Sequence, residues 1–191
     1  GTVSGVSNTG GFIGYAYDSS ITSCYSTGSV TGSSYNTGGL IGRTLFTPVK
    51  KCYSTGTVTG STDNSGGLIG LNYYGDIRNS YSKSVVKGFY SSGGLIGCNY
   101  ISKLSSCYAT GAVTVTVPAT GTVAGGLIGY DYNSVTTDCY ATGKVTGQWY
   151  IGGLEGYSYA STQKNCYSIG AVSGKTGYVG GLLASKYAGQ C

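Results

Sequence analysis

The sequence predicts an all-β chain wound into a parallel β-solenoid of about seven coils, with roughly 28 residues per coil, and three observations carry that expectation. The pentapeptide GGLIG or a near copy recurs seven times, with starts near residues 10, 38, 66, 93, 125, 152 and 180. Fourteen residues after each of the first six starts stands Cys24, Cys52, Ser80, Cys107, Cys139 or Cys166, always followed by tyrosine. Six residues further on comes a valine, in segments such as CYSTGSVTG, CYSTGTVTG and CYATGKVTG. Both intervals are constant, and length varies only between the valine segment and the next double glycine, from FYSS to the longer TVPATGTVA. Fixed elements joined by one elastic loop are expected of coils whose insertions bulge from one edge.

Composition agrees. Of 191 residues, 36 are Gly and only 9% are charged, which is unlike an ordinary enzyme domain. Gly has no collagen period, Pro occurs only at Pro48 and Pro118, and Val, Ile, Thr and Tyr dominate between the glycines, which favours strands. The repeats tile residues 1–191 as a single solenoid domain. No apolar run is long enough to span a membrane. The net charge of +5 comes from scattered residues such as Arg43, Lys83, Lys103 and Lys164, a solvated surface rather than a nucleic-acid site. With neither a signal peptide nor a starting Met, the chain is expected to be a processed product or a segment of something longer.

A period of two through CYSTGSVTG turns Cys24, Ser26, Gly28, Val30 and Gly32 inward and Tyr25, Thr27, Ser29 and Thr31 outward. A kink at Gly28 would reverse that assignment. Stacked coils about 4.8 Å apart then build ladders through the core. One runs Val3, Val30, Val58, Val86, Val113, Val145, Val172, and another Phe12, Leu40, Leu68, Leu95, Leu127, Leu154, Leu182. A third begins Ile21, Val49, Ile77, Leu104 and turns polar at Thr136 and Gln163. Three ladders suggest three sheets joined by glycine turns. The residue after each leucine is Ile13, Ile41, Ile69, Ile96 or Ile128 and then Glu155, so that row is expected to be partly exposed.

The cysteine ladder Cys24, Cys52, Cys107, Cys139, Cys166 admits two readings. Rungs about 4.8 Å apart could bridge Cys24 to Cys52, and Cys139 to Cys107 or Cys166; alternatively the thiols fill a narrow corner, reduced and buried. Cys98 and Cys191 lie off the ladder and are the candidate reactive or intermolecular thiols. No metal site, cofactor site or catalytic residue is assigned. His is absent, which removes Ser/His/Asp and Cys/His chemistry, and a linear thiol row does not converge on a metal. The six acids, Asp18, Asp63, Asp76, Asp131, Asp138 and Glu155, occupy unrelated repeat positions, so no two are expected to be held as a pair. No GK[ST] follows any glycine motif, so none is a phosphate loop.

GGLIG followed by CYSTG.V.G resembles the GLUG-motif repeats of bacterial surface proteins, over nearly the whole chain. The resemblance implies a β-solenoid at a cell surface, as in adhesin-like proteins and accessory segments of secreted immunoglobulin A proteases, and implies no catalytic residues. The copy at 79–88, GGLEG at Gly152 and GGLLA at Gly180 depart from the pattern.

The outer face and the two ends suggest function. The tyrosine ladder Tyr25, Tyr53, Tyr81, Tyr108, Tyr140, Tyr167 offers a stripe for lateral fibre packing or for sugar rings, unless the loops and Tyr15, Tyr17, Tyr130 and Tyr157 fold over it. Threonine rows raise ice binding as a further alternative, but Lys83 and Lys87 puncture both rows in one coil. No capping repeat is seen, and GTVSG at the start complements GGLLASKYAGQC at the end, leaving six positions of a coil missing. The expectation is a non-enzymatic, extracellular structural solenoid. Its partners are copies of itself stacked head to tail into a fibre, or neighbouring repeats of a longer adhesin stalk, with glycan binding as the alternative.

Overall fold

A computed structural model describes residues 1–116 and 120–191; Pro118, inside the long insertion, lies outside them. The described residues form 33 short strands in five parallel sheets of seven, six, seven, seven and six strands, and contain no helix. The fold is thus the expected parallel β-solenoid of about seven coils, but each coil contributes to five sheets rather than three.

Each sheet carries a characteristic row of residues. The valine sheet begins with Thr2–Gly5 and Ser29–Gly32, and the double-glycine sheet with Thr9–Gly10 and Thr37–Gly38. The long sheet begins with Ile13–Tyr17 and Ile41–Leu45, the short sheet with Ile21–Thr22 and Val49–Lys50, and the tyrosine sheet with Tyr25–Ser26 and Tyr53–Ser54. Register never slips, so like sits on like: Val58 on Val30, Tyr53 on Tyr25, Ile69 on Ile41. A repeat of identical residues at the rung spacing specifies register, because a slip of one residue would turn every ladder inside out.

Most corners between strands are not built by glycine. Ser23, Lys51, Asn79, Ser106, Asp138 and Asn165, each just before the Cys/Ser position, have φ of 50° to 57°. Asp18, Phe46, Tyr74, Ile101, Asn133 and Ala160, with φ of 45° to 54°, turn the chain after the long strands. The double glycines serve close approach instead. A Cβ on Gly38 would overlap the Ile41 carbonyl, and one on Gly39 the Gly67 carbonyl of the next coil.

Two cores result. The larger joins the leucine and isoleucine ladders to Val49, Ile77 and Leu104 and to the cysteine row; the smaller holds Val58, Val86, Val113 and Val145 with Ile151. The isoleucine row corrects an expectation. Ile41, Ile69, Ile96 and Ile128 are as buried as the leucines before them, and Glu155 is at 0% exposure. Leu40 N and Ile41 N both donate to the Leu68 carbonyl, at 2.9 and 3.0 Å, so the chain turns within one rung and both side chains face inward. A simple alternation cannot anticipate a corner that resets it.

Candidate functional site

The left-handed residue before each Cys/Ser position turns the chain so that the next side chain enters the core and the following tyrosine leaves it. Cys52 and Ser54 are buried, whereas Tyr25 and Tyr167 are exposed and the four tyrosines between them are half-buried. Gly28 does not reverse this parity. The six rings form one stack with centroids 4.8 to 5.1 Å apart and planes within 5°. Tyr15, Tyr17, Tyr130 and Tyr157 do not fold over it, because they stand on the long sheet. Each inner ring has a ring over both faces, so the stripe presents edges and hydroxyls. Burial, then the neighbouring Tyr81 and Tyr140, raises the Tyr108 phenol above its ordinary value.

A second aromatic stack went unread in the sequence. Tyr73, Tyr100, Tyr132, Tyr159 and Tyr187 stack on the long sheet with centroids 4.4 to 5.1 Å apart. Its signal was available, since each lies seven residues after a repeat start. The residue before each is a polar row facing inward. Thr44 Oγ1 donates to Asn72 Oδ1 at 2.7 Å, Asn72 Nδ2 to Asn99 Oδ1 at 2.7 Å, and Asn99 Nδ2 to Asp131 Oδ1 at 2.8 Å.

This polar column ends in a buried cluster that corrects the expectation of isolated acids. Asp131 and Glu155 come from different repeat positions, yet both are fully buried and the Asp131 charge acts on Glu155. Burial pushes the Asp131 carboxyl up to about 6, against the hydrogen bonds of Asn99, Ser161 and Ser134. Burial, and then the Asp131 charge, raises Glu155 well above the usual carboxylate range. Gln163 Nε2 donates to Glu155 Oε2 at 2.8 Å and to Ser158 Oγ at 3.0 Å. Lys186 Nζ donates to Gln163 Oε1 at 2.7 Å and to the Ser161 carbonyl at 2.8 Å. Glu155 Oε1 and Asp131 Oδ2 have no partner. Two acids closed to solvent cannot meet an external substrate.

The thiols divide clearly. All seven are free, so the ladder is a reduced row rather than a set of bridges. Cys24 N and Cys107 N each donate to the next ladder sulfur, Cys52 or Cys139, at 3.4 Å. Cys98 is not an available thiol, which corrects that assignment: it is buried on the long sheet between Leu71 and Tyr130, and burial pushes it up to about 12. Cys191 is exposed. Among the described residues no three His, Cys, Asp or Glu side chains converge as metal ligands, and no helix is long and apolar enough to cross a membrane.

The sequence profile of the GLUG motif matches five stretches, residues 5–31, 33–59, 61–86, 90–116 and 120–146. Each runs from the end of one valine strand through the valine of the next, one full coil. No curated protein and no solved structure matches the chain. The sixth and seventh coils, beyond the last matched stretch, keep the register and hold Glu155, Gln163 and Lys186.

Proposed function

The chain belongs to the GLUG-motif family, and from that premise we propose that it is a structural rod on the outer cell surface, a head-to-tail fibre subunit or part of an adhesin stalk. One observation carries the reading. A column of backbone hydrogen bonds of 2.8 to 2.9 Å climbs from Phe12 to Leu40, Leu68, Leu95, Leu127, Leu154 and Leu182. Five sheets run beside it in parallel register. Such a lattice is stiff along its axis and one-directional, so any further repeat that continues it must be added head to tail. Catalysis has no part in this reading, and the surface setting follows the resemblance of the repeats to bacterial surface proteins.

Electron microscopy of the purified chain tests the proposal. Filaments with an axial repeat near seven rungs, roughly 34 Å, are the result expected of a fibre subunit. Uniform short rods would assign it to a stalk, and flexible or globular particles would refute both.

The outward tyrosine row supports a second reading, adhesion to glycans. Because the ring faces cover one another, recognition would run through the row of phenol hydroxyls and ring edges. Glycan-array binding lost in Tyr53→Ala and Tyr108→Ala would favour it; equal binding by the variants would remove it.

A further inference from the structure

The cluster at the sixth and seventh coils contains more chemistry than a polar plug needs. Gln163 is 4% exposed, and both its amide termini are engaged. Its nitrogen faces the Glu155 carboxylate and the Ser158 hydroxyl, and its oxygen faces the Lys186 ammonium. An amine, a carboxamide and a carboxyl group with one unpartnered oxygen are thereby held together in a site from which water is largely excluded.

We propose that Lys186 and Gln163 react to form a side-chain amide, a covalent tie between the seventh and sixth coils, with Glu155 carrying the proton. The half-buried Lys186 ammonium first gives a proton to solvent, leaving a neutral amine beside the Gln163 carboxamide. Burial holds the Glu155 carboxyl in its neutral form, and that form is the proton donor the leaving nitrogen needs. The Nζ lone pair then attacks Gln163 Cδ, forming the new C–N bond, while the hydrogen bond at Oε1 gives way. Glu155 protonates Nε2, to which it is already bonded at 2.8 Å, and the Cδ–Nε2 bond breaks. The new amide nitrogen returns its surplus proton to Glu155, and the displaced nitrogen leaves as ammonia and takes up from solvent the proton that Lys186 gave, so an ammonium ion is released for each bond made. No oxidant, metal or other reactant enters.

The site suits each requirement. Holding the reactants side by side replaces a collision in solution, and the Ser161 carbonyl at 2.8 Å keeps Nζ in place. Lys186 is half-buried, which leaves ammonia a way out, whereas Glu155 and Ser158 are closed to the water that would hydrolyse the product. The bond would join the long sheet of one coil to the short sheet of the coil beneath, a direction in which the fold otherwise relies on hydrogen bonds and packing. A rod under tension gains most from a tie of that kind.

Intact mass of the full chain under denaturing conditions, followed by tryptic mapping, tests the proposal. The expected mass is lower than that of the sequence by one ammonia, with a branched peptide joining the Gln163 and Lys186 segments and no cleavage after Lys186. Lys186→Arg keeps the positive charge without the nucleophile, and Glu155→Gln keeps the shape without the proton carrier. Both are expected at full sequence mass, with circular dichroism showing that the strands persist. Wild-type chain at full mass after prolonged incubation at neutral pH would overturn the inference. So would an ammonia loss that maps to an asparagine, or a Glu155→Gln chain that still acquires the branch.

Discussion

Gln163 Nε2 donates to Glu155 Oε2 at 2.8 Å in a part of the core where both side chains are closed to solvent. That bond explains how a carboxylate occupies a row otherwise made of isoleucine and leucine. The third apolar ladder turns polar at Thr136 and Gln163, and there Glu155 finds its partner. Repeat position decided what each side chain faces, and a change in one ladder accommodated a change in the other.

Stability should fall as pH rises. Asp131 and Glu155 both have folded-state values above the ordinary carboxylate range, so the fold favours their protonated forms. Their contribution is complete in acid and is lost as pH rises through the folded values, near 6 for Asp131. The Asp131 shift corresponds to about 3 kcal/mol. The melting temperature is expected to be higher at about pH 5 than at about pH 8, with Asp131→Asn flattening the profile. A melting temperature that rises over that interval would refute the assignment.

The double glycines should tolerate no side chain within the stack. A Cβ at Gly67 meets the Gly94 carbonyl and the Ser82 hydroxyl, while one at Gly181 meets nothing within 4 Å. Gly67→Ala is expected to cost several kcal/mol or prevent soluble folding, and Gly181→Ala to stay within about 0.5 kcal/mol of wild type. Urea unfolding of the pair checks this, and equal stabilities would show that close approach is not what the glycines provide.

Thiol labelling should follow burial. Under native conditions Cys191 is expected to react with iodoacetamide first, Cys24 and Cys166 slowly, and Cys52, Cys98, Cys107 and Cys139 only after unfolding. Peptide mapping after a short pulse reads the order directly. Early labelling of Cys98 would contradict its burial between Leu71 and Tyr130.

Truncating one rung of the leucine column should leave a cavity that the stack cannot close. Leu95→Ala removes a fully buried side chain between Leu68 and Leu127 and is expected to destabilise by about 2–5 kcal/mol. The comparison is Ile169→Ala, whose side chain is 75% exposed, expected within about 0.5 kcal/mol of wild type. Chemical denaturation of both variants makes the measurement.

Much of this was legible from spacing alone. Constant intervals from the double glycine to Cys24 and on to Val30 placed those residues at equivalent points of successive coils, and parallel strand pairing leaves them nowhere else to go. The outward course of Tyr25 through Tyr167 followed from the same periodicity. The second aromatic stack was equally regular from Tyr73 onward, but Leu45 stands between Tyr17 and Tyr73 and interrupts its row. The exposure assigned to Ile41 and its equivalents was wrong because Glu155 was weighed as a charge that needs water, when Gln163 supplies its partner indoors.

By itself, then, the sequence determined the repeat, the solenoid, the register and the ladders, because a side chain that recurs at one interval must recur at one place in a stacked coil. Only the tertiary structure decided how many corners each coil turns, which of two adjacent apolar residues enters the core, and which polar side chains meet. Those outcomes depend on left-handed corners at residues such as Ser23 and Asp18, which carry no common residue type, and on contacts between coils that no single repeat contains. Asp131 and Lys186 hold one repeat position two coils apart, Glu155 and Gln163 hold two others, and the four meet because the chain has wound past the same point three times.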